Sequence, residues 1–431
     1  MKIAIAAYGL EGQASYRYYL KDPSNQIAIF DQNPDFVGPG GVPVVVGPDA
    51  FAYIKNYDLV LRSPPIAPTL LHTEGKIWSG TNEFFAKCPA PIIGITGTKG
   101  KGTTASMVTS ILKAAGKKVW LVGNIGTPAL EVLQKVTAND IVVYELSSFQ
   151  LWDIEKSPHI AIVLPVEPDH LNVHRNMKDY VSAKANIRRF QLADDICIYH
   201  PRNEYARQIT ASNQVAPMER YAIKADGGAY LKDGAFYEGD HMICSSDVMQ
   251  IPGIHNIENA CAAISAVLYL GIPEDAIADG LRNFKGLPHR IEFVRTVCGV
   301  EYYNDSFSSA PSATIAAIKS FTKNEIIVLG GIDKGADFHD LIETIRIHPN
   351  IKEVLLIGEI RHKLHLLLKE AGVTTKTTVF DGRTMPEIVE YLSHTAEPND
   401  LVLLSPGCAS FDMFRDFYDR GDQFRAEVQS L

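Results

Sequence analysis

The chain has 431 residues, 46% of them hydrophobic and 21% charged, with a formal net charge of −9. At roughly 100–200 residues per domain that length allows two to four domains, and the composition is that of a globular protein with ample core rather than a disordered or fibrous chain. No long block of one sign occurs. That argues against a nucleic-acid partner, while a local basic pocket for an anionic substrate stays open.

The six cysteines, Cys88, Cys197, Cys244, Cys261, Cys298 and Cys408, are scattered and form no C-x-x-C pair. This reads as reduced, partly buried thiols rather than a disulfide framework or a zinc site. The N-terminus, Met-Lys-Ile-Ala-Ile-Ala-Ala-Tyr-Gly-Leu, runs straight into a strand pattern without a cleavage site. No apolar run reaches the ~18 residues of a transmembrane helix. A cytoplasmic protein with no membrane partner is expected.

A short apolar strand over Lys2–Ala7 leads to Gly9, Gly12 and a helical stretch. A second strand, Gln26–Phe30, ends at Asp31, and others follow around Val44–Val46 and Asp58–Leu61. Short apolar runs alternating with helical stretches predict a parallel α/β sheet. An acidic residue ending the second strand is where such sheets often hold a ribose hydroxyl. Gly9 and Gly12 do not complete a G-x-G-x-x-G, so a nucleotide edge and a plain turn both remain open. Pro89–Pro91 breaks the chain. After it come a strand over Ile92–Thr96, a Gly-rich loop and a helix from near Thr103. Residues 227–239 read as a hairpin or loop excursion, and Ile254–Leu270 as a helix. From Leu287-Pro288 onward, strands are expected at Val300–Asn304, Ile326–Leu329, Glu353–Ile357 and Leu401–Leu404. The reading is three consecutive α/β domains with boundaries near 90 and 288.

Gly97-Thr98-Lys99-Gly100-Lys101-Gly102-Thr103-Thr104 lies between a strand and a helix, as a phosphate loop requires. Glycines let successive backbone N–H groups turn toward phosphate oxygens, and the helix N-terminus adds partial positive charge. Lys101 would reach the β- and γ-phosphates. Gly102 stands where the metal-binding hydroxyl usually follows the lysine, so Thr103 is read as the Mg2+ ligand. The alternative is a Gly-rich turn with surface lysines.

Glu145 ends the apolar strand Ile141–Tyr144, a position suited to Mg2+ beside a phosphate loop; a helix N-cap carboxylate is the other reading. Asp169-His170-Leu171-Asn172 follows another strand, which favours a metal or nucleotide contact for His170 over an ordinary polar residue. Lys184 lies on an expected helix, where a solvated face is the default.

Together these motifs resemble the Mur ligase family. The resemblance rests on Gly97-Thr-Lys-Gly-Lys101, Asn124-Ile-Gly-Thr-Pro, Tyr144-Glu145-Leu-Ser-Ser-Phe-Gln-Leu and Asp169-His170-Leu-Asn. It continues through Pro252-Gly-Ile-His-Asn256-Ile-Glu-Asn259-Ala, Leu287-Pro-His289-Arg290-Ile-Glu, Asn304-Asp305-Ser306, Gly330-Gly-Ile-Asp-Lys334-Gly-Ala-Asp-Phe338 and Leu404-Ser-Pro-Gly-Cys-Ala-Ser410-Phe-Asp. These run nearly end to end and look most like the D-glutamate-adding branch.

The resemblance implies a Rossmann-like UDP-substrate domain (residues 1–90), a central P-loop ATPase domain (91–288) and a C-terminal Rossmann-like amino-acid domain (289–431). It implies an ATP-dependent ligase of peptidoglycan synthesis, a monomer acting on UDP-N-acetylmuramoyl-L-alanine, D-glutamate and ATP through an acyl phosphate. Two Mg2+ ions are implied, one on Thr103 and Glu145, the other on His170 and a carbamylated Lys184. Asn124 and His170 would contact the sugar substrate; Asn256 and Asn259 would face adenine, with His289, Arg290 and Asp305 near the nucleotide. Leu10, Glu11, Asp31 and Ser63 match positions that contact the uridine diphosphate. Ser309, Lys334, Ser410 and Phe417 match residues that hold D-glutamate.

The chain departs from the pattern in places. Glu11 replaces a hydroxyl, and a carboxylate there would repel diphosphate unless it turns away. Pro65 stands where a glycine is usual. The pattern Asn-Asp-Ser-Lys-Ala-Thr reads Asn304-Asp305-Ser306-Phe307-Ser308-Ser309, so a cation has become aromatic. The Gly100-Lys101-Gly102-Thr103 run also resembles folylpolyglutamate synthase. A ligase adding a different amino acid and a non-catalytic ATP-binding module are the remaining alternatives.

Overall fold

The computed structural model describes residues 1–224 and 227–431. The chain forms two compact units, one of residues 1–248 and 257–283, the other of residues 249–256 and 284–431.

The first unit holds two parallel sheets. In one, the strands run in the spatial order Val44–Val46, Gln26–Asp31, Lys2–Ala6, Leu59–Arg62, Lys76–Ser79. Ile3, Ala4, Ile5 and Ala6 are fully buried, as expected of a central strand covered on both faces. In the other, the order is Met218–Arg220, Ile196–Tyr199, Ile160–Val163, Ile92–Thr96, Ile141–Glu145, Val119–Gly123. The strand Ile92–Thr96 is central and buried throughout, and the chain leaves it at a point where the strand order reverses. Crevices at such switch points, beyond the carboxyl ends of the strands, are where open α/β sheets take ligands. The excursion expected over 227–239 is a hairpin of Ala229–Lys232 and Ala235–Glu238, extended by His241–Ser245 into a three-stranded antiparallel sheet.

The second unit carries a six-stranded sheet ordered Glu292–Val297, Val300–Asn304, Leu401–Leu404, Glu325–Gly330, Ile351–Ile357, Lys376–Val379. Only its first pair is antiparallel. Apolar clusters lie on both faces, one around Val328 and Phe424, the other around Leu329 and Leu356.

The α/β class with parallel sheets is as expected, with local differences. The helix after the Gly-rich loop begins at Lys101, two residues before Thr103, because Gly100 takes a left-handed φ of 83° and turns the chain directly into it. Strands Lys76–Ser79, Lys376–Val379 and Met218–Arg220 were not expected; they are short edge strands whose residues, apart from the buried Ser79, are exposed or half-buried, with weak apolar runs. All six cysteines are free, and Cys298 alone among them is exposed.

Candidate active site

The Gly-rich loop is shaped by positions that tolerate no side chain. Gly97 has φ 153°, and a Cβ there would lie 2.6 Å from Leu164 Cβ. A Cβ on Gly100 would run into Asn259 Oδ1. Asn259 therefore packs directly on the loop. The loop is pinned on its other side by Thr98. Its N–H donates to Pro165 O at 3.0 Å, and its hydroxyl accepts from Glu167 N–H at 2.9 Å. What remains is a helix N-terminus, Lys101–Ala114, opening toward a glycine-lined turn, the arrangement that favours phosphate.

Lys101 curls over this turn. Its Nζ donates to Thr98 O at 2.9 Å and stops 3.8 Å from Glu145 Oε1. Glu145 is 1% exposed, and its Oε2 has no hydrogen-bond partner among the described residues. A buried carboxylate oxygen without a donor is costly unless a cation meets it. Glu145 is not a helix N-cap: Ser147 takes that role for Ser148–Leu151, in a reciprocal capping box with Gln150. The hydroxyl of Thr104 is also buried and has no hydrogen-bond partner among the described residues, whereas Thr103 is half-buried.

Lys184 overturns its solvated-face reading. It is 1% exposed, because its helix, Met177–Arg189, packs this side toward the loop. Its Nζ donates to Gly97 O at 2.7 Å and sits 4.6 Å from the Tyr180 ring centre. Burial first, then the charge of Lys101, hold the amine well below the usual lysine range.

His170 is 47% exposed at its side chain and has a left-handed φ of 55°, with its N–H bonded to Asp169 Oδ1. Its ring lies 4.9 Å from Phe149, which stacks on the buried His174 at 5.4 Å. A strained non-glycine conformation held by packed neighbours is a common property of functional loops.

At the edge of the first sheet, Asp31 accepts from the N–H groups of Tyr8 and Asn33, both at 3.0 Å. Ser63 donates to Ala7 O at 2.5 Å. The loop after it is held by the buried Arg62, which pairs with Asp153 at 2.6 and 2.9 Å and donates to Pro64 O and Ile66 O. Leu10 is 75% exposed. Glu11 turns toward Gln150, accepting from its Nε2 at 2.6 Å, and desolvation raises its carboxyl to about 7. Asn124 is exposed, with its N–H on Glu145 O at 3.1 Å.

In the second unit, Asn304-Asp305-Ser306 follows the strand Val300–Asn304. Asn304 Nδ2 reaches His289, Glu292 and Gly421 O at 3.0–3.1 Å. Asp305 accepts from Ser308 and Ser405 hydroxyls at 2.6 Å and from Ile291 N–H, yet burial still raises its carboxyl to about 6. Arg290 lies with its guanidinium carbon 3.8 Å from the Phe307 ring centre. Ser309 is exposed and Ser410 buried; Lys334 projects over Phe411 at 4.8 Å. Phe417 packs on Phe307 at 4.9 Å. Asn256, at the start of the helix Ile254–Tyr269, donates to Pro252 O at 2.6 Å.

The structure thus gathers Lys101, Glu145, Lys184 and Asn259 around one loop, and His289, Arg290, Asp305 and Phe417 around another. Sequence reasoning missed Tyr180, whose ring faces Lys184 and whose hydroxyl meets Thr98 at 3.1 Å. Its spacing of one helical turn from Lys184 was the available signal. It also missed His174, whose Nε2 pairs with Ser148 at 2.9 Å.

Comparison with known proteins follows the same lines. The Mur ligase middle domain matches residues 95–267, and the Mur ligase glutamate ligase domain matches residues 289–408. The chain is 33% identical to a UDP-N-acetylmuramoylalanine–D-glutamate ligase of Streptococcus thermophilus, covering 100% of this chain and 97% of that one. It is 35% identical to the protein of the same name from Acetivibrio thermocellus, covering 100% and 96%. Among solved structures, the UDP-N-acetylmuramate–alanine ligase of Thermotoga maritima superposes with a TM-score of 0.63 at 17% identity, covering 100% of this chain and 99% of that one. MurF ligase of the same organism, in complex with ADP, gives 0.60 at 16% identity, covering 99% and 95%. Two domain matches in the expected order, and relatives a third identical along the whole length, establish that this chain belongs to the Mur ligase family.

Proposed function

We propose that the chain is an ATP-dependent ligase that joins D-glutamate to UDP-N-acetylmuramoyl-L-alanine in peptidoglycan precursor synthesis. The observation that carries this reading is the end-to-end identity with relatives bearing that name. A carboxylate is a poor electrophile. Transfer of the γ-phosphoryl group of ATP to the alanyl carboxylate gives an acyl phosphate and ADP. The amine of D-glutamate then attacks the acyl carbon, and the tetrahedral intermediate collapses to an amide and phosphate.

Each residue has a role in this proposal. Backbone N–H groups of Gly97, Lys99, Gly100 and Gly102 hold phosphate oxygens, Thr98 and Thr104 shape the loop through N–H groups that already donate to Pro165 O and Gly100 O, and Lys101 offsets the phosphate charge. Thr103 and Glu145 hold one Mg2+, and His170 with a carbamylated Lys184 a second. The unpartnered Glu145 oxygen suits a cation. Among the described residues no group of three or more His, Cys, Asp or Glu side chains is placed to hold a metal ion; the proposed sets take a hydroxyl and a carbamate as ligands. Mg2+ supplies countercharge that lets two anions approach.

A buried lysine with a depressed pKa is the form that adds CO2, since only the neutral amine is nucleophilic. Leu10, Glu11, Asp31, Ser63, Asn124 and His170 take the UDP-substrate; Asn256, Asn259, His289, Arg290 and Asp305 the nucleotide; Ser309, Lys334, Ser410 and Phe417 the amino acid. The proposed division is residues 1–90 for UDP-sugar, 91–288 for ATP and 289–431 for amino acid. No helix among the described residues is long and apolar enough to cross a membrane; a cytoplasmic monomer is the proposed state. The test is phosphate release with ATP and UDP-N-acetylmuramoyl-L-alanine. Release that requires an added amino acid supports ligation, and release indifferent to any amino acid supports a nucleotide-binding switch instead.

A further inference from the structure

The strands Val300–Asn304, Leu401–Leu404 and Glu325–Gly330 are neighbours and run parallel, so the loops following them emerge on one edge. Those loops carry Phe307, Ser410 with Phe411, and Lys334. Phe307 is 39% exposed, yet it is not loosely held. Its N–H donates to His289 O at 2.9 Å. The preceding Ser306 is locked, donating to Phe417 O at 2.8 Å and accepting from Arg420 Nε at 2.9 Å. The ring meets the Phe417 ring edge-on, at 80°, and carries the Arg290 guanidinium against it. The result is a rigid aromatic surface on the ligand edge of the sheet, left partly open where a lysine stands in the family pattern.

We propose that Phe307 determines acceptor selectivity in this chain: its ring replaces an ammonium with an apolar wall for the acceptor's carbon chain. This rests on the ligase reading above. A lysine at this place would pair with a side-chain carboxylate; a phenyl ring contacts methylenes and is indifferent to the charge beyond them. An ammonium here would also lie against the Arg290 charge, which the ring instead attracts through its π face. The chain therefore discriminates glutamate from its neutral amide, glutamine, less than a lysine-bearing site does.

The experiment compares kcat/KM for D-glutamate and D-glutamine in the wild type, Phe307→Lys and Phe307→Leu, at fixed ATP and UDP-N-acetylmuramoyl-L-alanine. Taking the ratio cancels effects on the other substrates. Phe307→Lys is expected to raise the glutamate-to-glutamine ratio about fivefold, as one added half-exposed ion pair provides. Phe307→Leu is expected to leave the ratio within about twofold while raising KM for both acceptors alike, through lost ring contact. A ratio unmoved by Phe307→Lys, or acceptor KM values unmoved by Phe307→Leu, overturns the proposal. Phosphate release that no amino acid stimulates in the wild type would instead overturn the ligase reading itself.

Discussion

The amine of Lys184 donates to the carbonyl oxygen of Gly97 at 2.7 Å, tying a buried helix residue to the first glycine of the Gly-rich loop. The bond fixes where the amine sits, and burial lowers its hold on a proton, the direction a carbamate requires. Lys184→Ala should therefore lose most activity, with partial recovery on adding short carboxylates that replace the missing anion. Labelled CO2 should give a carbamate carbon resonance in the wild type that the variant lacks. A fully active variant would remove the carbamate from the account.

Gly100 is a loop position where a side chain would be strained. Its φ of 83° is left-handed, and a Cβ there would strike Asn259. Gly100→Ala should cost about 1–3 kcal/mol of stability. ATP affinity should fall by at least tenfold, because either the loop or Asn259 must move. Calorimetric titration with a non-hydrolysable ATP analogue checks this; wild-type affinity would show that the loop geometry is not what binds nucleotide.

Glu11 titrates at about 7. It is neutral below that value and anionic above it, so repulsion of a diphosphate grows as pH rises through 7. KM for the UDP-substrate should climb between pH 6 and 8 in the wild type, a range set by that value, and stay flat in Glu11→Gln. Equal slopes in the two proteins would place the diphosphate away from Glu11.

Glu325 offers a prediction about stability rather than catalysis. It is fully buried, both its carboxyl oxygens lack partners among the described residues, and burial raises it from 4.5 to about 8. Since the folded state holds the proton more tightly, its contribution is intact below 4.5 and declines as pH rises toward 8. The decline is at most about 5 kcal/mol. Glu325→Leu should melt higher than the wild type at pH 8, with the gain shrinking toward pH 5. Parallel pH profiles would contradict the assigned burial cost.

Much of this was legible in the sequence, for identifiable reasons. The strand Ile92–Thr96 is a short apolar run between a proline break and glycines, and such punctuation marks a buried parallel strand from sequence alone. The edge strand Lys376–Val379 carries no comparable apolar run and is defined by pairing with Ile351–Ile357. Candidate site residues inside motifs, such as Lys101 and Glu145, could be named because spacing to a strand end is local information. The burial of Lys184 could not, because it depends on the helix Met177–Arg189 facing a loop far away in the chain. The turn of Glu11 toward Gln150, 139 residues on, was invisible for the same reason.

Mass spectrometry of the coupled product tests the central claim most directly. The purified chain would be incubated with ATP, Mg2+, UDP-N-acetylmuramoyl-L-alanine and each enantiomer of glutamate in turn. The account predicts that D-glutamate alone shifts the UDP-sugar to the mass of its glutamyl amide, with one ADP and one phosphate formed per product. ATP consumption without any mass gain on the UDP-sugar, whichever amino acid is supplied, would contradict it.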